Sequence, residues 1–148
     1  PLPNVWLGVS VEDQKTADER IPLLLATQAA VRWVSYEPAL EQVAFRCWLH
    51  DSEHRPSFID QVSSLDWLVV GGESGPGARP FDLAWARSAV TQCRNAGVSV
   101  FVKQLGSRPM TRGETLNPKA LRLRDRKGDD MSEWPEDLRV REYPDVVG

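Results

Sequence analysis

Residues 66–80 read Asp-Trp-Leu-Val-Val-Gly-Gly-Glu-Ser-Gly-Pro-Gly-Ala-Arg-Pro, and this stretch narrows the choice of fold more than any other. A continuous apolar run, 67–70, breaks into a turn holding four glycines and two prolines. Such a run, bounded by turn residues, predicts a strand buried on both faces of a parallel sheet. The glycines permit positive φ and close backbone approach. Glu73 and Ser74 stand where the strand stops, and Asp82 is placed to cap a following helix. Strand, glycine-rich loop and helix in that order put polar groups at the carboxyl end of a strand, where parallel α/β proteins bind ligands. The competing reading is structural, a βα turn in which Glu73 only pairs with Arg79.

The rest of the chain fits the same unit. Residues 5–11 (VWLGVSV) predict a first buried strand, and 31–36 a second that ends at Glu37-Pro38. Between them Thr16-Ala-Asp-Glu19 has capping-box spacing, so a helix is expected to start there. Pro22 is expected to kink that helix or to open a second short one. Leu83, Ala86, Ala89, Val90, Cys93 and Ala96 recur at helical spacing and Gly97 follows as a C-terminal stop, which predicts a helix from Asp82. Residues 98–102 predict a fourth strand, ending in Lys103 and Gln104. Strands alternating with helices indicate βαβ units. The expected fold is α/β, with parallel βα units forming an open half-barrel (a partial TIM-like barrel) over residues 1–106 and an irregular, charged extension over 107–148 packed on that body.

Charge separates the extension from the body. Residues 1–106 carry 9 basic and 12 acidic groups, 107–127 carry 7 and 2, and 128–148 carry 2 and 7. The two tail blocks are expected to pair with one another. Nucleic-acid binding by Arg108, Arg112, Lys119, Arg122, Arg124, Arg126 and Lys127 is possible but not favoured, because no aromatic interleaves them. Residues 121–124 alternate like a short edge strand and are the expected shield for one sheet edge. Residues 131–140 suggest turns or a short helix around Trp134-Pro135.

Cys47 and Cys93 are the only cysteines. They make neither a disulfide framework nor an iron–sulfur motif and suit a reducing cytosol, so a cytoplasmic protein is expected. No apolar run is long enough to cross a bilayer. Cys47, His50 and His54 have ligand-like spacing, but the polar residues around them favour a surface excursion, and no metal is assigned.

All four predicted strands end alike: the first at Ser10 and Glu12, the second at Ser35 and Glu37, the third at Gly71, Gly72, Glu73 and Ser74, the fourth at Lys103 and Gln104. A parallel sheet gathers these ends along one edge. Three carboxylates and a lysine there suit an amine, a hydroxylated ligand, a cation or acid–base work. The glycine-rich loop lacks the Gly-Lys-Ser/Thr of a phosphate loop, and Glu73 would repel an anion.

Several long motifs carry a family resemblance. They are Asn4-Val-Trp-Leu-Gly-Val-Ser-Val-Glu-Asp-Gln14, Ser35-Tyr-Glu-Pro38, residues 67–80, Phe101-Val-Lys-Gln104 and residues 125–139. Together they resemble a phage-associated family of unknown function whose members look like radical S-adenosylmethionine barrels. The resemblance implies a six-stranded barrel, with S-adenosylmethionine and an iron–sulfur cluster in longer relatives and neither cofactor in this chain. It implies that Glu73 touches the cofactor's amino group. The chain is then the C-terminal portion of such a protein, supplying polar strand-end residues to a ligand site without being catalytic alone. Its expected partners are a missing N-terminal half or a second copy of itself. The alternative is a non-catalytic, phage-encoded binding or inhibitor module acting on a protein or nucleic acid. No catalytic residue is assigned from the sequence.

Overall fold

The computed structural model describes residues 2–49, 64–112 and 117–145. In chain order its elements are β1 (Trp6–Ser10), α1 (Gln14–Leu25), β2 (Val31–Tyr36), β3 (Trp67–Gly71), β4 (Phe81–Asp82), α2 (Leu83–Ala96), β5 (Ser99–Gln104), β6 (Pro109–Arg112) and β7 (Pro118–Ala120). Four strands form a parallel sheet in the order β1-β2-β3-β5, so each lies beside its predecessor in the sheet.

Alternation along the strands gives this sheet two unlike faces. On one, Val34, Tyr36, Leu68, Val70, Val100 and Val102 are fully buried in a core shared with Ile21 and Leu24 of α1 and Leu83, Ala86 and Cys93 of α2. Each large apolar side chain buried there contributes about 1.5–3 kcal/mol. The other face carries Trp6, Trp33, Trp67 and Phe101, all half-buried. Their rings touch in series, Trp6 to Trp67 at 5.8 Å, Trp33 to Trp67 at 5.7 Å and Trp67 to Phe101 at 6.0 Å. Gly8 is required on this face, since a Cβ there would run into the indole of Trp33.

The helices differ in how the sequence marks them. For α2, Asp82 accepts the Ala84 N–H at 2.9 Å and Gly97 ends the helix in the left-handed region at φ 66°. For α1 the expected start is corrected: Asp13, not Thr16, is the N-cap. The Asp13 carboxylate accepts the Thr16 N–H at 2.7 Å while the Thr16 hydroxyl accepts the Asp13 N–H at 3.1 Å. Pro22 does not open a second helix, the second of the two outcomes expected for it, because α1 continues through it to Leu25. Proline removes only one helical hydrogen bond, and buried Ala17, Ile21 and Leu24 hold the turns around it. The fourth sheet strand runs on past Val102, so Lys103 and Gln104 belong to it.

A second, three-stranded sheet was not expected. In it β4 pairs parallel with β6, and β6 pairs antiparallel with β7. The alternating segment 121–124 is therefore not the strand; pairing falls on Pro118–Ala120 just before it and is made to β6. The exposed edge of β5 is instead covered by residues 140–142. The Val102 N–H donates to the Val140 carbonyl at 2.8 Å and the Glu142 N–H to the Val100 carbonyl at 3.0 Å. Two short 3₁₀ turns, Met131–Glu133 and Glu136–Leu138, fill the stretch around Trp134-Pro135. Trp134, Leu138 and Val140 enter the same core as the body, and the Trp134 indole N–H donates to the Gly128 carbonyl at 3.0 Å.

Cys47 is exposed, in a 3₁₀ turn over Phe45–Cys47. His50 and His54 lie outside the described residues. No helix among the described residues is long and apolar enough to cross a membrane.

Candidate functional site

The carboxyl ends of β1, β2, β3 and β5 meet along one edge, and their polar residues sort into three groups. At the centre is Glu37, just past β2, its side chain 15% exposed. Its carboxylate accepts from Lys103 Nζ at 3.1 Å and from Gln104 Nε2 at 3.0 Å. Gln104 also donates to the Gly72 carbonyl at 3.0 Å. Two local features make this possible. The register of β3 against β5 shifts after Val70, so that Gly71 faces Gln104. In addition, the Glu37 carboxyl lies against Gly71, where a Cβ would stand 3.1 Å from it. The strand-end glycines thus make room for a carboxylate. A shallow recess of about 390 Å³ lies beside this group, bounded by Phe101, Lys103, Gln104, Asp129 and Arg141.

The second group belongs to β1. Ser10 stands opposite Ser35 in the register, and Arg20 of α1 donates to the Ser10 carbonyl at 2.7 Å and to Glu12 at 3.1 Å. The third is Glu73 with Arg79. Arg79 donates from Nε to Oε2 at 2.8 Å, from Nη2 to Oε1 at 2.9 Å and from its backbone N–H to Oε2 at 2.9 Å. This fork pushes the Glu73 carboxyl down to about 2. It also raises the Arg79 guanidinium, with a smaller contribution from Glu12, whose charge it feels. Both Glu73 oxygens are therefore occupied. A ligand amine at Glu73 would have to share them with Arg79; at Glu37, whose oxygens also accept from Lys103 and Gln104, it would have to displace a lysine whose side chain is half-exposed beside the recess.

Ser74 does not join these groups. It lies on the rim of a larger groove of about 890 Å³, between the glycine-rich loop, residues 106–110 and residues 120–127. This groove went unread in the sequence, because only the fold brings the tail beside the strand ends. Its one sequence signal is the basic block itself. The expected pairing between the two charged tail blocks is realised in one ion pair among the described residues, Arg124 to Glu133 at 3.8 Å, with the Arg124 side chain 91% exposed. Arg112 pairs instead with Asp82, and Asp137 with Arg87 of α2.

Fold and strand ends together define a mixed α/β protein with a four-stranded parallel sheet and charged side chains beside a shallow recess at its carboxyl edge. Over residues 1–135 the chain matches the family described as a protein of unknown function (DUF5131), and it belongs to that family. No curated protein and no solved structure matches it.

Proposed function

We propose that this chain is the C-terminal portion of a phage-type, radical S-adenosylmethionine-like barrel, and that it supplies the Glu37–Lys103–Gln104 group to a ligand site rather than carrying out chemistry alone. The observation that supports this reading is the pairing of an open sheet face with that group. The four strands follow one another in sheet order, their helices cover one face, and on the other face the indoles of Trp6, Trp33 and Trp67 give way, through a mixed row of Ser10, Ser35, Val69 and Phe101, to Glu37 and Lys103 at the carboxyl end. A half-barrel has this distribution, with an apolar plug below and a polar mouth above. A further segment or chain would close it.

Glu37 and Lys103 suit the two charges of an amino-acid moiety, the carboxylate taking an ammonium and the lysine a carboxylate. The amino-acid portion of S-adenosylmethionine carries both. An iron–sulfur cluster does not fit this chain. Clusters are held by several thiolates. Here one of the two cysteines, Cys93, is buried in α2 with its thiol pushed up to about 12 by burial. Any cluster would need cysteines from elsewhere.

The test is equilibrium dialysis of labelled S-adenosylmethionine against the chain, Glu37→Gln and Lys103→Ala. Each variant is expected to bind at least tenfold more weakly than the parent. Retention that neither substitution alters, or none by the parent, counts against the reading.

A further inference from the structure

The groove beside the glycine-rich loop gathers four cationic side chains on a chain whose net charge is −3. Among the described residues Arg108, Arg122, Arg126 and Lys127 line it, against one carboxylate, Asp125. All four cations are exposed, and none makes an ion pair among the described residues. The Asp125 carboxylate is turned to its own loop, accepting the N–H groups of Asp129 at 2.6 Å and Lys127 at 3.4 Å. The acidic block that follows in sequence leaves these cations available to something else.

The groove is also built. Ser107 ties its three walls together, its hydroxyl accepting the Gly75 N–H at 2.9 Å and donating to the Arg126 carbonyl at 2.6 Å. Beneath it the backbones of two loops touch. The Leu105 N–H donates to the Gly128 carbonyl at 2.8 Å, and a Cβ on Gly128 would stand 2.5 Å from the Gly106 carbonyl oxygen. Gly106 and Gly128 both have positive φ, 74° and 69°, so glycine is needed at each for conformation as well as for space. Pro109, Met110, Leu121 and Leu123 give the groove an apolar lining.

From this we propose that the groove binds single-stranded nucleic acid through its phosphates. Three of its four cations are arginines, whose planar fork matches phosphate oxygens. The apolar lining gives sugars and base faces somewhere to lie. The surface is concave, so it receives a strand, whereas a duplex is usually read by an element that projects into its own grooves. No aromatic ring lines it among the described residues. Binding is therefore carried by charge, weak in sequence preference and steep in salt. The site is separate from the Glu37–Lys103 group, so this proposal stands whether or not that group binds S-adenosylmethionine.

The test is fluorescence anisotropy of a short, labelled, mixed-sequence single strand with the full chain, over a range of salt concentrations. About four neutralised phosphates give an expected slope of log K against log salt of roughly −3. Arg122→Glu with Arg126→Glu is expected to weaken binding at least tenfold and to flatten that slope. Lys15→Glu with Arg94→Glu makes the same change in net charge on α1 and α2 and is expected to change binding less than twofold. The matching duplex should bind several-fold more weakly, and polyglutamate of equal charge should compete poorly. Thermal melting checks that the variants fold; if the double glutamate variant does not, Arg122→Gln with Arg126→Gln replaces it. No binding at low salt, equal loss in the two charge-matched variants, equal affinity for duplex, or full competition by polyglutamate would each overturn the proposal.

Discussion

Glu73 and Glu37 began as equivalent carboxylates at strand ends, and their neighbours made them different. Arg79 follows Glu73 by six residues across a glycine-rich turn, close enough for one guanidinium to grip both oxygens. Arg79 is more than half exposed, so water screens the pair and its worth to the fold is small. Its titration is still distinctive. Glu73 is held at about 2 against an ordinary value of 4.5. A carboxyl depressed in the folded state contributes stability in full above its unfolded value and loses it as pH falls towards the folded one. The melting-temperature deficit of Glu73→Gln is therefore expected at neutral pH and should vanish between about pH 4.5 and pH 2. Carbon-detected NMR should find the Glu73 carboxyl titrating near the lower value, and Arg79→Ala should return it towards the higher one. A deficit that grows on acidification would contradict the pairing. The sequence had offered this partner as the plainer explanation of Glu73. It gave no way to see that Gly71 would leave room for Glu37, since that depends on a register shift between two strands.

Among the elements, α2 is the one whose limits follow most directly from its residues. Asp82, the apolar stripe from Leu83 to Cys93, and Gly97 each occupy the position their chemistry suggests. Asp82 also does something a cap does not require. Only 5% exposed, it accepts from Arg112 Nε at 2.6 Å with its second oxygen, tying the helix start to β6. Asp82→Ala is expected to destabilise the chain by about 2 kcal/mol, from the lost cap and the lost charge-assisted bond. Asp82→Asn should recover part of this. Urea denaturation measures both, and a near-neutral alanine variant would mean that Arg112 and water replace the cap. The main sheet was equally legible as four strands, because apolar runs bounded by turn residues mark them, but burial on both faces holds for β3 alone; β1, expected to be buried, has no fully buried residue. β4, β6 and β7 were not, at two, four and three residues. Strands so short show no period, and two of them begin with proline. The start of α1 was misplaced for a local reason: Asp13 and Thr16 exchange hydrogen bonds, and Thr16 alone looked like the cap.

At the scale of the whole molecule, the unsolved problem of this fold is its first edge. On the far side of the sheet, residues 140–142 close β5, and Tyr143 lays its ring 5.5 Å from Trp67 and 5.3 Å from Phe101. Among the described residues nothing pairs with the outer edge of β1. The same corner exposes Leu2, Val5 and part of Trp6, next to the aromatic face. An apolar strand with a free ladder of N–H and C=O groups pairs with whatever strand it meets. In solution the available strand is β1 of another copy, and a two-fold axis lets each satisfy the other. The isolated chain is therefore expected to self-associate, most simply as a dimer. Sedimentation velocity across a range of concentrations should move from a monomer to a dimer boundary. Trp6→Lys, which sets a charge on that edge, should shift the transition to at least tenfold higher concentration. A stable monomer at every concentration would place the cover for β1 within the chain itself. A dimer indifferent to Trp6→Lys would move the interface elsewhere.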